Sequence, residues 1–357
     1  MYLFCKLDYH VRNNQCFFDI ELIDRRFIEL NPVYEDPVVS ICCVCYNHEK
    51  TLRRALDGLL AQECNFPFEI LIHDDASTDH SQEIIKEYLE KYPDRIHAIL
   101  QTENQYSKRI SYYRKYFFPM VRGRYIAFCE CDDYWCDTKK LQTQIDVLEA
   151  NKSCSVCVHG SYKITLEGKK MNEVFPPVRI PESIITAEQF IDYELGQGKW
   201  MFQLASYVVR YEVLANYYKE AFDNYATKFA HVGDLPMLLY CATQGDIYYV
   251  NRYMSCYTVD SGGFMSRAYR DPEFAKSVHE AYIEGFKAYN EFTDNRYEKS
   301  IDKGIIRRKF YIDYINKHYW KILTSPDYRF ILTDMKMYLR ALKRLLNSTL
   351  GKVLSKK

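Results

Sequence analysis

The chain has 357 residues, enough for one large domain or two ordinary ones. Its 48 basic and 48 acidic side chains balance, so charge gives no reason to expect nucleic acid as a partner. The N-terminal sequence MYLFCKLDYHVRNN lacks the basic start and apolar run of a signal peptide, and no run of about 18 apolar residues predicts a transmembrane helix. We therefore expect a cytoplasmic protein whose 13 cysteines are reduced thiols.

The clearest secondary-structure signal begins with PVVSICCVCYN (37–47), an apolar and β-branched run that predicts a strand buried on both faces. Leucines at helical spacing predict a helix over 48–62. The sequence then predicts strands at 68–73, 95–100 and 123–133, a helix carrying Ile84, Ile85, Tyr88 and Leu89, and a helix at 139–151. This alternation predicts an α/β fold with a mostly parallel sheet flanked by helices.

The pattern changes after about residue 152. Residues 207–218 mix strand and helix signals, and 231–266 combine a short helix ended by Gly245 with a strand-like run. Residues 268–323 have a helical pattern. We expect an N-terminal extension (1–36), a core domain (37–267) and a helical C-terminal region (268–357), with a soft boundary near 267.

Polar side chains collect at the predicted carboxyl ends of three strands. Ligands of open α/β sheets bind at that edge. Turns and helix caps also use Asn and Asp, so each residue alone has a structural explanation, but the set together predicts a binding site. Its members are Tyr46, Asn47, Asp74, Asp75, Glu130, Asp132 and Asp133.

The stretch AFCECDDYWCD (127–137) carries the most specific chemistry. On an extended segment, the acid-x-acid spacing places Glu130 and Asp132 on the same side, where both can hold one divalent cation. Hard oxygen ligands suit Mg²⁺ or Mn²⁺, and an open cation of this kind takes further ligands from substrate phosphates. Neither G-x-G-x-x-G nor G-x-x-x-x-G-K-[ST] occurs, which disfavours dinucleotide oxidoreductases and P-loop NTPases.

The chain resembles the family 2 glycosyltransferases, which have the GT-A fold. Four stretches between about 37 and 266 carry the resemblance: VSICCVCYNHEKTLRRALDGLLAQ, EILIHDDASTDHS, GRYIAFCECDDYWCDTKKLQTQIDVLEAN and GDLPMLLYCATQGDIYYV followed by SGGFMS. Each stretch alone is weak evidence for the resemblance, but the four stretches in this order and spacing are strong evidence together. The resemblance implies transfer of a sugar from a nucleotide-diphosphate donor, with UDP-sugars favoured and with inversion at the anomeric carbon. The chain resembles most the bacterial branch of the family, whose members build surface polysaccharides such as capsule by adding sugars to glycan or lipid-linked acceptors.

The resemblance also implies roles for individual residues. Asp132 matches the metal ligand, with Glu130 in the place of the first acid of the D-x-D motif, and Asp234 matches the catalytic base. Asp234 has a second interpretation as a helix cap before Pro236. The positions that match nucleotide-binding segments are Tyr46, Asn47, Asp74, Asp75, Cys131 and Asp132.

The acceptor side is less clear. Trp200 and Gln203 lie in a segment that faces the acceptor in relatives, although a core position is an equal alternative for Trp200. Many relatives carry a histidine just before the SGG-like segment, where this chain has Asp260 and Ser261. Asp260 would bind a metal but repel a diphosphate, and the nearby Arg267 would compensate.

The last stretch, 334–357, is basic with an apolar side. This pattern predicts either a peripheral anchor on the inner face of the cell membrane or a helix packed on the catalytic domain. Two other functions stay open. A sugar nucleotidyltransferase would need a glycine-rich phosphate loop, which CYNHEKTLRR lacks, and a non-catalytic nucleotide-sugar-binding protein would be favoured by loss of Asp132 or Asp234, both of which are present.

Overall fold

The computed structural model describes residues 36–108, 110–229, 233–259, 262, 267–268, 270–332 and 343. Within this part of the chain, ten strands form one sheet. They are β1 Val39–Cys45, β2 Phe68–Asp74, β3 Ile96–Leu100, β4 Tyr125–Phe128, β5 Tyr134–Trp135, β6 Cys154–Ile164, β7 Lys170–Phe175, β8 Ser183–Ile185, β9 Val208–Arg210 and β10 Asp246–Thr258.

The α-helices of the described residues lie between these strands and after the last of them. They are α1 Leu52–Leu60, α2 Ser81–Lys91, α3 Lys140–Ala150, α4 Ala187–Ile191, α5 Tyr211–Asn216, α6 Asp234–Gln244, α7 Pro272–Phe292, α8 Glu298–Ile315, α9 Tyr319–Thr324 and α10 Arg329–Leu332. None of them is both long enough and apolar enough to span a lipid bilayer.

The first half of the sheet has the parallel arrangement that the sequence predicts. The strand order is β3-β2-β1-β4, and every pair in it is parallel. Cys45 at the end of β1 pairs with Asp74 at the end of β2, and Cys42 pairs with Phe128 at the end of β4. The loops that follow these three strands therefore emerge at one edge of the sheet.

The second half of the sheet is mixed, which the sequence analysis does not predict. The three-residue strand β9 lies antiparallel between β4 and β6, β6 pairs in parallel with β10, and β5, β7 and β8 add antiparallel pairs. The predicted strand 123–133 is shorter than expected, since regular pairing ends at Phe128. This half brings β10 beside the loop that follows β4.

Both faces of the sheet are buried. Alternate residues of β1 divide between two hydrophobic clusters, with Val39, Ile41, Cys43 and Cys45 facing α1 to α3 and with Cys42 and Val44 facing the other side. Burial on both faces explains why β1 reads as a continuous apolar run.

The C-terminal helices share this core. Phe286 and Tyr289 of α7 belong to the same hydrophobic cluster as Phe128 and Leu239. Gly285 of α7 lies so close to Phe229 that an added Cβ would sit 2.5 Å from its ring, and Tyr289 Oη donates to the carbonyl of Leu239 at 3.2 Å. Helix α7 is thus fixed to α6, whose first residue is Asp234.

Candidate active site

The acid loop, residues 129–133, continues the direction of β4 past its last regular pair. The N–H groups of Cys129 and Cys131 donate to the carbonyls of Cys42 and Val44 at 3.1 and 2.9 Å. Cys129 and Cys131 are buried in the core. Because side chains alternate along an extended segment, the half-buried Glu130 and Asp132 lie on the opposite side.

Three carboxylates of the acid loop converge. Ligand oxygens of Glu130, Asp132 and Asp133 lie within 4.8 Å of one another. Asp133 is 3 % exposed, and its Oδ1 accepts the N–H of Thr258 at 2.8 Å, while Thr258 Oγ1 donates to the carbonyl of Asp132 at 2.5 Å. Strand β10 therefore fixes the far end of the acid loop, a contact across more than a hundred residues.

This convergence has an electrostatic cost. Burial, and then the charges of Asp132 and Asp234, raise the pKa of Glu130 to about 8. Burial, and then the charges of Asp132 and Glu130, raise the pKa of Asp133 well above its usual value. A divalent cation would relieve this cost, and carboxylate oxygens are the ligands that Mg²⁺ and Mn²⁺ prefer. The residues present therefore fit a cation site.

His48 faces the acid loop and was not predicted. Burial lowers the pKa of its imidazole, but the charge of Asp132 together with Cys45 and Glu130 outweighs burial and raises that pKa to about 9. Its backbone N–H donates to Ser81 Oγ at 2.9 Å. The imidazolium therefore offsets part of the negative charge of the acid loop. His48 directly follows Asn47 in the loop after β1, and this position is the sequence signal that could have identified it as a site residue.

Asp74 and Asp75 hold the loops that follow β2 and β3. The carboxylate of Asp74 accepts the N–H of Ser77 at 3.0 Å and the Nε2 of Gln82 at 2.7 Å. The carboxylate of Asp75 accepts the backbone N–H groups of Gln105 at 2.6 Å and Tyr106 at 3.0 Å. Both acids thus shape the predicted nucleoside side of the edge.

Tyr46 and Asn47 follow β1 at the same edge. Asn47 has a φ of 58°, the left-handed conformation that asparagine tolerates better than most residues. Its Oδ1 accepts the N–H of Thr78 at 2.7 Å, which joins the loops after β1 and β2. Tyr46 is 44 % exposed, and Tyr106, an unpredicted residue beside Asp75, is 42 % exposed. Two aromatic rings are therefore accessible near the two acids.

Asp234 is the first residue of α6 and lies near the acid loop. Its Oδ1 accepts the N–H of Leu235 at 2.8 Å, and burial raises its pKa. Its charge in turn raises the pKa values of Glu130 and of the buried Tyr207. The carboxylate therefore contacts the first turn of the helix and also lies within electrostatic range of the acid loop.

Comparison with known proteins identifies the domain that carries this edge. Residues 40–209 match the model of the family described as glycosyl transferase family 2. This matched stretch, just under half of the chain, is similar to glycosyl transferase family 2. The matched stretch holds the acid loop and the loops after β1 and β2, whereas Asp234 lies beyond the matched residues.

Relatives of known sequence align over part of their length. The uncharacterised protein Rv1520 of Mycobacterium tuberculosis is 40 % identical over 142 residues, which are 39 % of this chain and 39 % of that protein. The UDP-Glc:alpha-D-GlcNAc-diphosphoundecaprenol beta-1,3-glucosyltransferase WfaP of Escherichia coli is 34 % identical over 115 residues, or 32 % of this chain and 43 % of WfaP. The chain thus spans about two fifths of the length of these relatives.

Solved structures share the fold. Residues 1–349 of S. aureus TarS, in complex with UDP-GlcNAc, superpose with a TM-score of 0.56 at 20 % identity, covering 81 % of this chain and 78 % of that one. The mannosyltransferase PcManGT from Pyrobaculum calidifontis, in complex with GDP-Man and Mn²⁺, gives a TM-score of 0.50 at 13 % identity and covers 93 % of each chain. The predicted GT-A fold is confirmed.

The remaining predicted residues are Cys131, Trp200, Gln203 and Asp260, together with the C-terminal segment. Cys131 is 1 % exposed and belongs to the hydrophobic core, and its carbonyl accepts Thr51 Oγ1 at 2.9 Å. Half-buried Trp200 packs edge-on against Phe175, with ring centroids 5.3 Å apart. Gln203 is 3 % exposed, and its Nε2 has no hydrogen-bond partner among the described residues. Asp260, and the segment 334–357 apart from Lys343, lie outside the described residues.

Proposed function

We propose that this protein transfers a sugar from a nucleotide-diphosphate donor to a hydroxyl group of a glycan or lipid-linked acceptor, with inversion at the anomeric carbon, in the synthesis of a surface polysaccharide. The observation that carries the proposal is the convergence of Glu130, Asp132 and Asp133 at the sheet edge with Asp234 in electrostatic range. A donor diphosphate with its cation and a base for the acceptor are the two requirements of this reaction.

The nature of the donor and acceptor is proposed from relatives. The name of WfaP includes UDP-Glc and a diphosphoundecaprenol-linked sugar, and TarS was crystallised with UDP-GlcNAc. PcManGT instead holds GDP-Man with Mn²⁺. We favour a UDP-sugar donor because both the sequence relative and the TarS structure involve uridine nucleotides.

Glu130 and Asp132 are the residues that we expect to hold Mg²⁺ or Mn²⁺. Bound there, the cation would offset the negative charge that grows on the leaving nucleoside diphosphate. Asp133 has one oxygen engaged by the N–H of Thr258 and fixes the position of its two neighbours. Tyr46, Asn47, Asp74 and Asp75 are proposed to form the nucleoside side, with the last two acting by shaping the loops.

Asp234 is the proposed base. As the acceptor oxygen bonds to the anomeric carbon and the bond from that carbon to the diphosphate breaks, the acceptor proton passes to the carboxylate of Asp234. Burial makes this carboxylate more basic than a free aspartate, which favours proton transfer. Attack from the side opposite the leaving group inverts the configuration.

The proposal is tested by incubating the full chain with UDP-Glc, UDP-GlcNAc and GDP-Man, with Mn²⁺ or with EDTA, and by measuring nucleoside diphosphate release. We expect release from at least one donor with Mn²⁺ and little with EDTA. An Asp146→Asn control changes an exposed acid on α3 and should match the parent. Release from no donor, together with tight nucleotide binding, would favour the non-catalytic alternative.

A further inference from the structure

Three side chains outside the acid loop interact electrostatically with Asp234 or with one another. They are Glu194, Tyr282 of α7 and Arg308 of α8, which come from three separate segments and are all half-buried. Burial is the main cause that raises the pKa values of Glu194 and Tyr282; the charge of Asp234 raises both further, and the charge of Arg308 lowers both. Glu194 and Tyr282 therefore each lie within electrostatic range of both Asp234 and Arg308.

The position of Glu194 is built by two elements. One of its oxygens, Oε2, accepts the N–H of Met201 at 3.0 Å. Helix α8 holds the same turn, since Arg307 Nη2 donates to the carbonyl of Gly196 at 3.1 Å and Ser300 Oγ donates to Asp192 Oδ1 at 3.2 Å. The C-terminal helices thus fix the segment that carries Glu194, and Arg308 is the residue next to one of these contacts.

Arg308 has its flat face covered and makes no hydrogen bond or ion pair with the described residues. Its guanidinium carbon lies 3.9 Å from the centroid of the Tyr282 ring and 5.7 Å from that of Phe286. Stacking on an aromatic ring leaves the N–H donors at the rim of a guanidinium available. A purely structural arginine in the range of a carboxylate such as Glu194 would be expected to pair with it.

We propose that Glu194 and Arg308 bind the acceptor sugar beside Asp234 and so determine which acceptor hydroxyl reaches the base. This inference rests on the proposed function. Arg308 donates to oxygen atoms of the sugar, and the carboxyl of Glu194 bonds a neighbouring hydroxyl while Oε2 stays on Met201. A small number of precisely positioned polar side chains beside an aromatic ring, here that of Tyr282, is typical of small-molecule binding sites.

One further observation and one requirement of the reaction support this assignment. Burial raises the pKa of Glu194 to about 8, so near neutral pH the carboxyl carries a proton and is able to donate as well as accept. The second concerns placement, because the acceptor must approach Asp234 from a side that the donor and the acid loop leave open. The C-terminal helical region then becomes part of the acceptor site.

The test compares Arg308→Met, Arg308→Lys, Glu194→Ala and Glu194→Gln with the control Lys309→Met, which changes the next, exposed residue of α8. Three quantities are measured for each: UDP affinity with Mn²⁺ by calorimetry, hydrolysis of the UDP-sugar by water, and transfer to a panel of methyl glycosides that includes glucoside and galactoside epimers. We expect UDP affinity within about twofold of the parent in all variants, and hydrolysis within about twofold of the parent in Lys309→Met.

For transfer, Arg308→Met and Glu194→Ala should raise the acceptor KM about 10-fold or more, as expected for lost charge-assisted hydrogen bonds. Both should also change the preference between epimers. Glu194→Gln and Arg308→Lys should recover part of the loss, and Lys309→Met should equal the parent. Unchanged acceptor KM and epimer preference, or a parent that hydrolyses donor but transfers to no glycoside, would overturn the inference. Absence of donor hydrolysis in the parent would instead count against the proposed function.

Discussion

Asp234→Asn separates the two interpretations of this residue, as base and as helix cap. In the structure, Asp234 Oδ1 accepts the N–H of Leu235, a bond that the asparagine oxygen can also accept. Loss of the negative charge removes a favourable interaction with the helix dipole of about 0.3–1 kcal/mol, but it also removes the cost of burying a charge. We therefore expect the free energy of unfolding to change by less than about 1 kcal/mol.

The effect on catalysis should be much larger. Removal of acid–base assistance lowers kcat by about 10²–10⁴-fold, while donor affinity should stay near that of the parent because the base acts in the transition state. The substitution should also lower the pKa of Glu130 from about 8, since the charge of Asp234 contributes to raising it.

The assay must follow transfer to an acceptor, since hydrolysis of the donor by water would hide the loss. Calorimetry with UDP and a thermal melt provide the controls for binding and folding, and Asp146→Asn provides the matched control variant. An Asn variant that transfers sugar at nearly the parental rate would refute the role of Asp234 as base, and Asp260 would be the next acid to test.

Three further predictions concern other parts of the chain. Asp75→Ala removes the acceptor of two backbone N–H groups and should weaken UDP binding about 10-fold by loosening the loop at Tyr106, as measured by calorimetry; equal affinity would place the nucleoside elsewhere. Burial raises the pKa of Asp313, but hydrogen bonds from Lys321, Tyr328 and His318 outweigh burial and hold the pKa below its usual value. These bonds to the ionised carboxylate therefore stabilise the fold above about pH 4, and the stabilisation is lost as pH falls through the lower folded-state pKa. Asp313→Asn should accordingly lower the free energy of unfolding at pH 7 by about 1.5–3 kcal/mol and reduce its acid dependence, and identical urea melts of variant and parent at pH 7 would contradict this. Deletion of 334–357 should abolish co-sedimentation with anionic vesicles, and added salt should weaken the binding of the full chain; a full chain that never co-sediments would favour a packed helix.

The sequence predicts the parallel half of the sheet well because its strands are buried on both faces. The apolar run at β1 and the acid-x-acid spacing of Glu130 and Asp132 are local patterns, and local patterns determine strand periodicity and the side on which a residue lies. Strand β9 is three residues long and continues directly into α5, so residues 207–218 give a mixed signal that only pairing with β4 and β6 resolves.

Contacts between distant segments limit how far the site could be predicted. The sequence around Asp75 contains no sign of a hydrogen-bond partner, yet its carboxylate accepts the backbone N–H groups of two residues about thirty positions later. Glu194 and Arg308 are separated by more than a hundred residues, and neither lies in a motif. Their proximity depends on the way α8 packs on the turn at Gly196, which periodicity does not encode.

The central claim is that the acid loop binds a cation together with a nucleoside diphosphate. Calorimetry of UDP binding to the parent and to Asp132→Asn, each with Mn²⁺ and with EDTA, tests it most directly. The account predicts that Mn²⁺ strengthens UDP binding to the parent at least about 10-fold and has little effect on the variant. Equal UDP affinity with Mn²⁺ and with EDTA in the parent would contradict it.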